Sequence, residues 1–324
     1  MKKVLVLALS AMLVFGFAFS AMAASVTVGG EANFMYDFEG TSAAGNDGAN
    51  KSDFRIHITA NVSDQVQVFA KLRVDDATNR ASYNFDGTNY TPNGKGFYYD
   101  QAWATVKFDP ATVKVGYYGI GWGGDKDIID AVSGDFKSRT GIQVSAPFAE
   151  GFSGKFFYST NSGKVNNFDQ TLGDGAFLVG VNYDQDVWGL GFQYGDMKWD
   201  ELTTFSATVD KSTVYVVTGY YKPIDGMKLF ATYGEHKVEN KATADEKNTN
   251  SIVGVIYNPV ETPWEFRAEY DLDDSNDVGN WTKEMNPWGY RVAYKLNDNT
   301  RIRLDRDHKS PTSIETLLRL QVLF

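Results

Sequence analysis

The sequence predicts an all-β protein: a transmembrane antiparallel up-and-down β-barrel of sixteen strands, with short periplasmic turns and long external loops. Three observations predict this fold class. Apolar and polar residues alternate with a period of two along most of the chain. The connections between these segments are alternately short and long along the chain, as they are in a membrane barrel. The first residues have the pattern of an export signal.

The first element is that export signal. A basic start is followed by an apolar stretch, residues 4–19, and by an A-x-A cleavage site, residues 21–23. A membrane anchor would also contain an apolar stretch, but a small-residue site at this distance favours a signal peptide. We therefore expect residues 1–23 to be removed and residues 24–324 to form a single barrel domain.

The strands follow in chain order. In one of them, Leu72 and Val74 alternate with Lys71 and Arg73. After residue 23 no stretch approaches the ~18 consecutive apolar residues of a membrane-spanning helix, whereas the alternating segments are near the ~9–11 residues of a spanning strand. The predicted strands are 25–38, 52–62, 65–75, 96–108, 111–119, 137–147, 151–160, 175–184, 187–198, 212–222, 226–236, 250–258, 263–272, 287–296, 299–308 and 312–324.

The connections form two classes. The short ones are 63–64, 109–110, 148–150, 184–186, 223–225, 258–262 and 297–299. The long, polar ones are 39–51, 76–95, 120–136, 161–174, 199–211, 237–249 and 273–286, and the short connection 309–311 ends this series. The two classes alternate, which predicts short turns at one rim of a barrel and long loops at the other.

A soluble β-sandwich is the alternative all-β fold, because its strands also alternate. Its loop lengths would have no reason to alternate, and its apolar side chains would face inward. In lipid every backbone N–H and C=O group must find a partner, so a spanning sheet closes on itself and turns its apolar side chains outward. Loop alternation together with the export signal favours the membrane barrel.

Composition excludes several functional classes. The chain carries a formal net charge of −10, which is unsuited to binding nucleic acid. It contains no cysteine, so it has no disulfide framework and no thiol chemistry.

The last predicted strand ends on an aromatic residue, with apolar residues at alternate positions before it: Ile314, Leu318, Leu320, Val322 and Phe324. This strand resembles the C-terminal signature of Gram-negative outer-membrane β-barrels. The resemblance implies that it closes the barrel against the first strand, and that the barrel-assembly machinery reads Phe324 as an assembly signal. It also implies that the protein lies in the outer membrane, in contact with lipid and lipopolysaccharide.

The strand number and chain length are similar to those of the general porins. The resemblance implies a homotrimer of water-filled barrels that passes ions and small hydrophilic solutes, with no catalysis and no cofactor. In that family the third long loop folds inward and narrows the pore. The corresponding segment here is 120–136, where Gly123-Gly124 alone echoes the family's Pro-Glu-Phe-Gly-Gly stretch. Its acidic residues are Asp125, Asp127, Asp130 and Asp135.

The residues that alternate with the apolar face are rich in bases. On adjoining strands we expect them to form one basic wall of the lumen, opposite the acidic loop, so that a transverse field tunes ion passage. Each base could instead be an ordinary solvated side chain or a member of a cross-strand ion pair, worth ~0.2–1 kcal/mol. The predicted basic wall consists of Arg55, Lys71, Arg73, Lys107, Lys114, Arg291, Arg301, Arg303 and Arg319.

Two other functions remain open. A substrate-specific channel for sugars or anions would use a track of inward aromatic residues, and a structural or adhesive barrel would be plugged and non-conducting. The aromatic residues predicted to face inward are Phe69, Tyr99, Trp103, Tyr118 and Phe157.

Catalytic and metal sites have little support. His57, His236 and His308 have no second histidine at ligand spacing and no nucleophile beside them. Residues 271–279 resemble a calcium loop only faintly, since the required glycine and closing glutamate are missing. We predict neither an enzyme nor a metal protein.

Overall fold

Sixteen strands form the barrel. The computed structural model describes residues 25–38, 50–75, 82–83, 89–90, 96–119, 138–159, 177–198, 209–240, 243–272, 288–310 and 313–324. The barrel strands are β1 Ser25–Asp37, β2 Asn50–Asn61, β3 Val66–Asp75, β4 Gly96–Phe108, β5 Ala111–Gly119, β6 Ser138–Ala149, β7 Phe152–Ser159, β8 Phe177–Asp184, β9 Trp188–Lys198, β10 Val209–Tyr221, β11 Met227–Asn240, β12 Glu246–Tyr257, β13 Trp264–Asp271, β14 Trp288–Asn297, β15 Thr300–Ser310 and β16 Ser313–Leu323.

Each strand pairs antiparallel with its neighbours in the chain, and β1 also pairs with β16 to close the ring. The predicted fold class is therefore confirmed. A separate two-stranded pair, Ser82–Tyr83 with Asn89–Tyr90, lies between β3 and β4 in the chain. No helix among the described residues is long and apolar enough to cross a membrane.

The hairpin β11–β12 extends further than the sequence predicts. The predicted loop 237–249 is wrong at both ends, since β11 runs to Asn240 and β12 begins at Glu246. Outward polar side chains pair on this hairpin: Lys247 Nζ of β12 lies 2.7 Å from Glu235 of β11, and Lys237 Nζ lies 3.0 Å from Glu239 on the same strand. Beyond the apolar band the outer face of a strand meets water, so the outward apolar residues that mark a spanning strand are missing there. On the inner face Val238 packs against buried apolar residues.

The side chains are sorted the opposite way from those of a soluble protein. Val28 is 62% exposed, and Phe192 is 49% exposed on the outer face of β9. The neighbouring inward residue Gln193 is only 1% exposed, and Asn33 is 2% exposed. Large apolar side chains on the surface and polar ones inside are the arrangement that lipid requires of a barrel wall.

Aromatic residues ring the outer face at both ends of the strands. On hairpin β13–β14, Trp264 packs against Tyr294 at the short-turn end with ring centroids 4.8 Å apart. At the other end Tyr270 packs against Trp288 at 4.7 Å. Tyr and Trp favour the headgroup zone because the ring is apolar and its polar atom stays wet. The two rings therefore mark the edges of the apolar band.

The barrel closes on the last residue of the chain. Gly30 N–H donates to the Phe324 carbonyl at 2.8 Å, and Phe324 N–H donates to the Gly30 carbonyl at 3.1 Å. The Phe324 ring lies over Gly30 and stacks on Phe54 at 5.5 Å. A Cβ atom on Gly30 would sit 2.6 Å from that ring, so glycine is what allows this contact.

The outward apolar and inward polar side chains lead to a prediction about two neighbouring positions on β10. Val217 faces outward and its neighbour Thr218 faces the lumen. Val217→Arg should lower the free energy of unfolding by about 2–4 kcal/mol, because it places a charge in the apolar band. Thr218→Arg should lower it by less than about 1 kcal/mol, because the charge stays in water. Reversible unfolding in lipid vesicles measures both, and equal losses would contradict the assigned faces.

Candidate functional site: the lumen of the barrel

Charged side chains cover one side of the lumen, which we call the charged wall. Because β1 pairs with both β2 and β16, strands β13–β16 and β1–β3 form one continuous stretch of the inner surface. The charged wall consists of Glu31, Asp53, Arg55, Arg73, Glu265, Arg267, Glu269, Arg291, Arg301, Arg303, Asp305, Arg319 and Gln321.

Three arginines of the charged wall share one carboxylate. Arg291 Nε lies 2.6 Å from Asp305, and Arg303 Nη2 lies 2.9 Å from it. Arg319 Nε is 3.6 Å away. Arg303 and Arg319 are direct cross-strand partners, an arrangement that destabilises a sheet unless a counter-charge separates them. Asp305 is that counter-charge, and it is 6% exposed.

A second group of ion pairs surrounds Asp53 on β2. Arg55 Nη2 lies 2.5 Å and Arg73 Nε lies 2.8 Å from its two oxygens. Arg55 also binds Glu31 of β1 at 2.5 Å. Arg55 and Arg73 are cross-strand partners, so Asp53 holds two like charges together in the same way as Asp305 does.

Hydrogen bonds join the two groups across the closing seam. Gln321 of β16 donates to Glu31 at 2.8 Å and accepts from Arg301 Nε at 2.5 Å. Arg301 in turn lies 3.6 Å from Glu265, which is 4.0 Å from Arg291. These contacts form one network of alternating charge, running from β3 through the seam to Glu265 on β13. The ion pair of Arg267 with Glu269, 3.1 Å apart on β13, lies beside it.

The predicted basic wall differs from this arrangement in two respects. Its arginines do lie on adjoining strands, but carboxylates are interleaved with them, so the cross-strand ion-pair alternative describes them better. The two lysines of β4 and β5 lie elsewhere: Lys107 is exposed at the short-turn rim, and Lys114 Nζ sits 4.2 Å from the Trp103 ring and 4.1 Å from the Tyr118 ring. Lys71 lies on β3, beside His57 in the register.

The other side of the lumen carries apolar residues, which we call the apolar wall. Sequence reasoning found only Tyr118 and Phe157 of this wall, because several of its strands have apolar residues on both faces, as with Leu178 and Val179 on β8. Period-two alternation cannot show such a face. The apolar wall consists of Tyr118, Phe157, Leu178, Val214, Val216, Phe230 and Ile252.

The predicted aromatic track is only partly available to a solute. Phe69 and Trp103 stack at 4.8 Å, but Tyr118 and Phe157 are 1% and 2% exposed. A register shift in the pairing of β3 with β4 sets Tyr99 opposite Leu72 in the Cα register. The side chain of Tyr99 is not among those that the structure describes, so its inward assignment stays a prediction.

Other predicted site residues fall in different places. His236 is buried on β11, and the described residues contain no group of acidic and histidine side chains suited to a metal ion. The predicted constriction residues lie outside the described residues: Asp125, Asp127, Asp130 and Asp135.

The sequence as a whole decides the family. Residues 8–308 match the family described as Gram-negative porin. The chain belongs to the Gram-negative porin family. It is an outer-membrane porin channel, which accounts for an apolar outer surface around a polar lumen. A comparison with curated protein sequences finds no match.

Solved porin structures share the fold of this porin. OmpF of Salmonella typhi in complex with daunomycin is 14% identical, with a TM-score of 0.63 over 92% of this chain and 97% of that chain. An anion-selective porin from Comamonas acidovorans is 13% identical, with a TM-score of 0.61 over 93% and 100%. OmpT of Vibrio cholerae, without its loop L8, is 15% identical, with a TM-score of 0.60 over 94% and 100%. At these identities the likeness shows the fold alone.

The shared carboxylate of the charged wall makes a prediction about ion preference. Asp305→Asn removes the counter-charge of three arginines, so the pore should favour anions more strongly. A unit charge about 8 Å from an ion in water is worth about 0.5 kcal/mol, which changes the permeability ratio about twofold in dilute salt. The reversal potential across a salt gradient measures this ratio.

The matched control is Asp298→Asn, because Asp298 lies in the exposed turn between β14 and β15. It should leave the reversal potential unchanged. An unchanged potential in Asp305→Asn, or a shift towards cations, would contradict the role given to Asp305.

Proposed function

We propose that this porin is a passive diffusion channel for ions and small hydrophilic solutes, without a catalytic step or a cofactor. The observation that carries the proposal is the charged wall: a connected set of ionic side chains on the inner face of a barrel whose outer face is apolar. Moving a charged side chain from water into a dry protein interior costs several kcal/mol per ion. The charged wall is therefore best explained as the lining of a water-filled passage.

The charged wall would act on solutes through its alternating charge. Rows of arginine and carboxylate side chains order water and orient dipolar solutes without binding either ion sign tightly. The charged wall holds seven arginines and five carboxylates, which leaves residual positive charge on this side of the lumen. The acidic segment 120–136 would supply the opposing charge, as the family resemblance implies.

The path of the protein to the outer membrane follows from its two ends. We infer that residues 1–23 direct export and are removed. Phe324 would be the residue that the barrel-assembly machinery reads, and its pairing with Gly30 supports a role in closing the barrel. Lipid and lipopolysaccharide would then surround the apolar band.

A homotrimer is part of the proposal, and one part of the outer face supports it. On β3 and β4 small residues oppose each other, with Ala70 opposite Ala102 and Val68 opposite Ala104. Val68, Ala70 and Ala104 are only half-exposed, whereas Val28 of β1 stands fully out from the barrel. A flat surface of small residues allows another barrel to approach closely, whereas lipid contact makes no such demand.

Ion preference tests the channel proposal. Replacing Arg55 and Arg73 together with serine removes two positive charges and the ion pairs that Asp53 and Glu31 make with them. The reversal potential should shift towards cations, by about twofold to fivefold in the permeability ratio at low salt. Single-channel recording in planar bilayers also reports whether the channel conducts at all.

The control is Arg306→Ser, because Arg306 lies at an outward position of β15, opposite Tyr290 and Thr316. It should not move the reversal potential. A double variant with the wild-type potential would remove Arg55 and Arg73 from ion selection, and a silent bilayer would favour the plugged structural barrel.

The trimer makes a separate prediction. Ala70→Trp should convert trimers to monomers, because an indole ring would hold the flat surfaces apart. Ala268→Trp is the matched control on the outer face of β13, where a ring meets lipid and should leave the assembly intact. Native mass spectrometry in detergent reads the assembly. Trimers that survive Ala70→Trp, or wild-type monomers, would contradict this interface.

A further inference from the structure

A pocket of about 270 Å³ opens on the inner face of β8–β11, near the short-turn rim. These strands lie half-way round the barrel from the closing seam, so the pocket is separate from the charged wall. Polar side chains line most of it, and none of them belongs to the ionic network. Those used below are Asn182, Asp184, Thr218, Tyr220, Lys228 and Thr232.

Two glycines create the pocket. Gly189 and Gly191 occupy inward positions of β9 where a side chain would otherwise fill the space. A Cβ atom on Gly191 would meet Asn182 Oδ1 at 2.6 Å and Thr218 Oγ1 at 2.7 Å. The polar groups of the two flanking strands therefore converge above a glycine floor. Glycine within a strand often marks such a close approach.

The lining offers hydrogen-bond donors and acceptors side by side. Thr218 and Thr232 each present a hydroxyl group, and the Asn182 amide both donates and accepts. The Tyr220 hydroxyl donates to Asp184 at 2.9 Å, and Lys228 Nζ lies 4.9 Å from the Tyr220 ring centre. One carboxylate and one ammonium group leave the pocket without net charge. Such a lining suits neutral solutes whose groups both donate and accept.

An apolar ring completes the pocket. Phe230 lies beside Tyr220 in the register of β10 and β11, and both side chains line the cavity. Aromatic side chains beside a few placed polar groups are common in small-molecule sites, and here the two rings would contact the carbon atoms of a bound solute. The volume lies just below the ~300–1,000 Å³ of pockets for drug-sized ligands, which leaves room for about one sugar ring.

We propose that this pocket is a binding subsite for a small neutral polyhydroxylated solute of monosaccharide size. The inference rests on the proposed channel, because the solute reaches the pocket through the water-filled lumen. It places the selective contacts on β8–β11 instead of on the predicted aromatic track. Binding is weak, with half-saturation on the order of millimolar, because a channel must release what it binds.

Ion-current recordings from the whole protein in planar bilayers test the subsite. D-Glucose added on the short-turn side should reduce the potassium chloride current saturably, and faster than the same addition on the long-loop side. Glycine, as a zwitterion, and gluconate, as an anion, should not produce a saturable block. Each current is compared with that of the same variant in the absence of solute.

Three variants locate the effect. Gly191→Val fills the pocket and should raise the half-blocking glucose concentration at least tenfold. Thr218→Val removes one hydroxyl at nearly constant shape, and should raise it about threefold to tenfold. Gly154→Val is the matched control, because Gly154 lies at an outward position of β7 with no atom closer than 3.5 Å to an added Cβ. It should keep the wild-type value.

The possible results separate the subsite from the channel. An open channel with no saturable glucose block, or a block equal in Gly191→Val and Gly154→Val, would overturn the subsite and leave the channel intact. A saturable block by glycine or gluconate but not by glucose would overturn the solute class. A silent bilayer would overturn the channel and the subsite together.

Discussion

The structure depends on one constraint: a backbone polar group in lipid has no water to bind, so each needs a partner within the protein. A sheet meets this requirement only by closing on itself, and here closure is completed by the paired backbone groups of Gly30 and Phe324. The closed ring and the contact between the first and last strands both follow from it. An aromatic residue at the seam adds a ring that covers the glycine on the lipid side.

Closure divides the chain into two surfaces with opposite demands. The outer side chains face lipid and are apolar between the two bands of aromatic residues. The inner side chains face the lumen. The seam also determines the chemistry of the lumen, because it brings the arginine-rich strands β14–β16 to the other side of β1 from β2. Carboxylates such as Asp53 and Asp305 then become necessary, since the register sets arginines opposite each other. The proposed function uses a network that folding itself requires.

The alternation of apolar and polar residues predicted every barrel strand, because a strand with lipid on one face and water on the other has a sequence pattern with a period of two. It failed where that contrast is lost. The outer face of β11 beyond residue 236 is polar, while Leu178 with Val179 makes β8 apolar on both faces. The partners of the arginines could not be predicted, since cross-strand register, and not spacing along the chain, brings Glu31 to Arg55.

Chemical labelling tests the assignment of faces most directly, and the chain suits it because it contains no cysteine. Single cysteines would replace Glu265, Phe266, Arg267 and Ala268 on β13, and a charged, water-soluble thiol reagent would be added to the protein in lipid vesicles. The structure predicts reaction at 265 and 267 and none at 266 and 268. Uniform reaction, or the reverse pattern, would contradict a water-filled lumen enclosed by a lipid-facing wall.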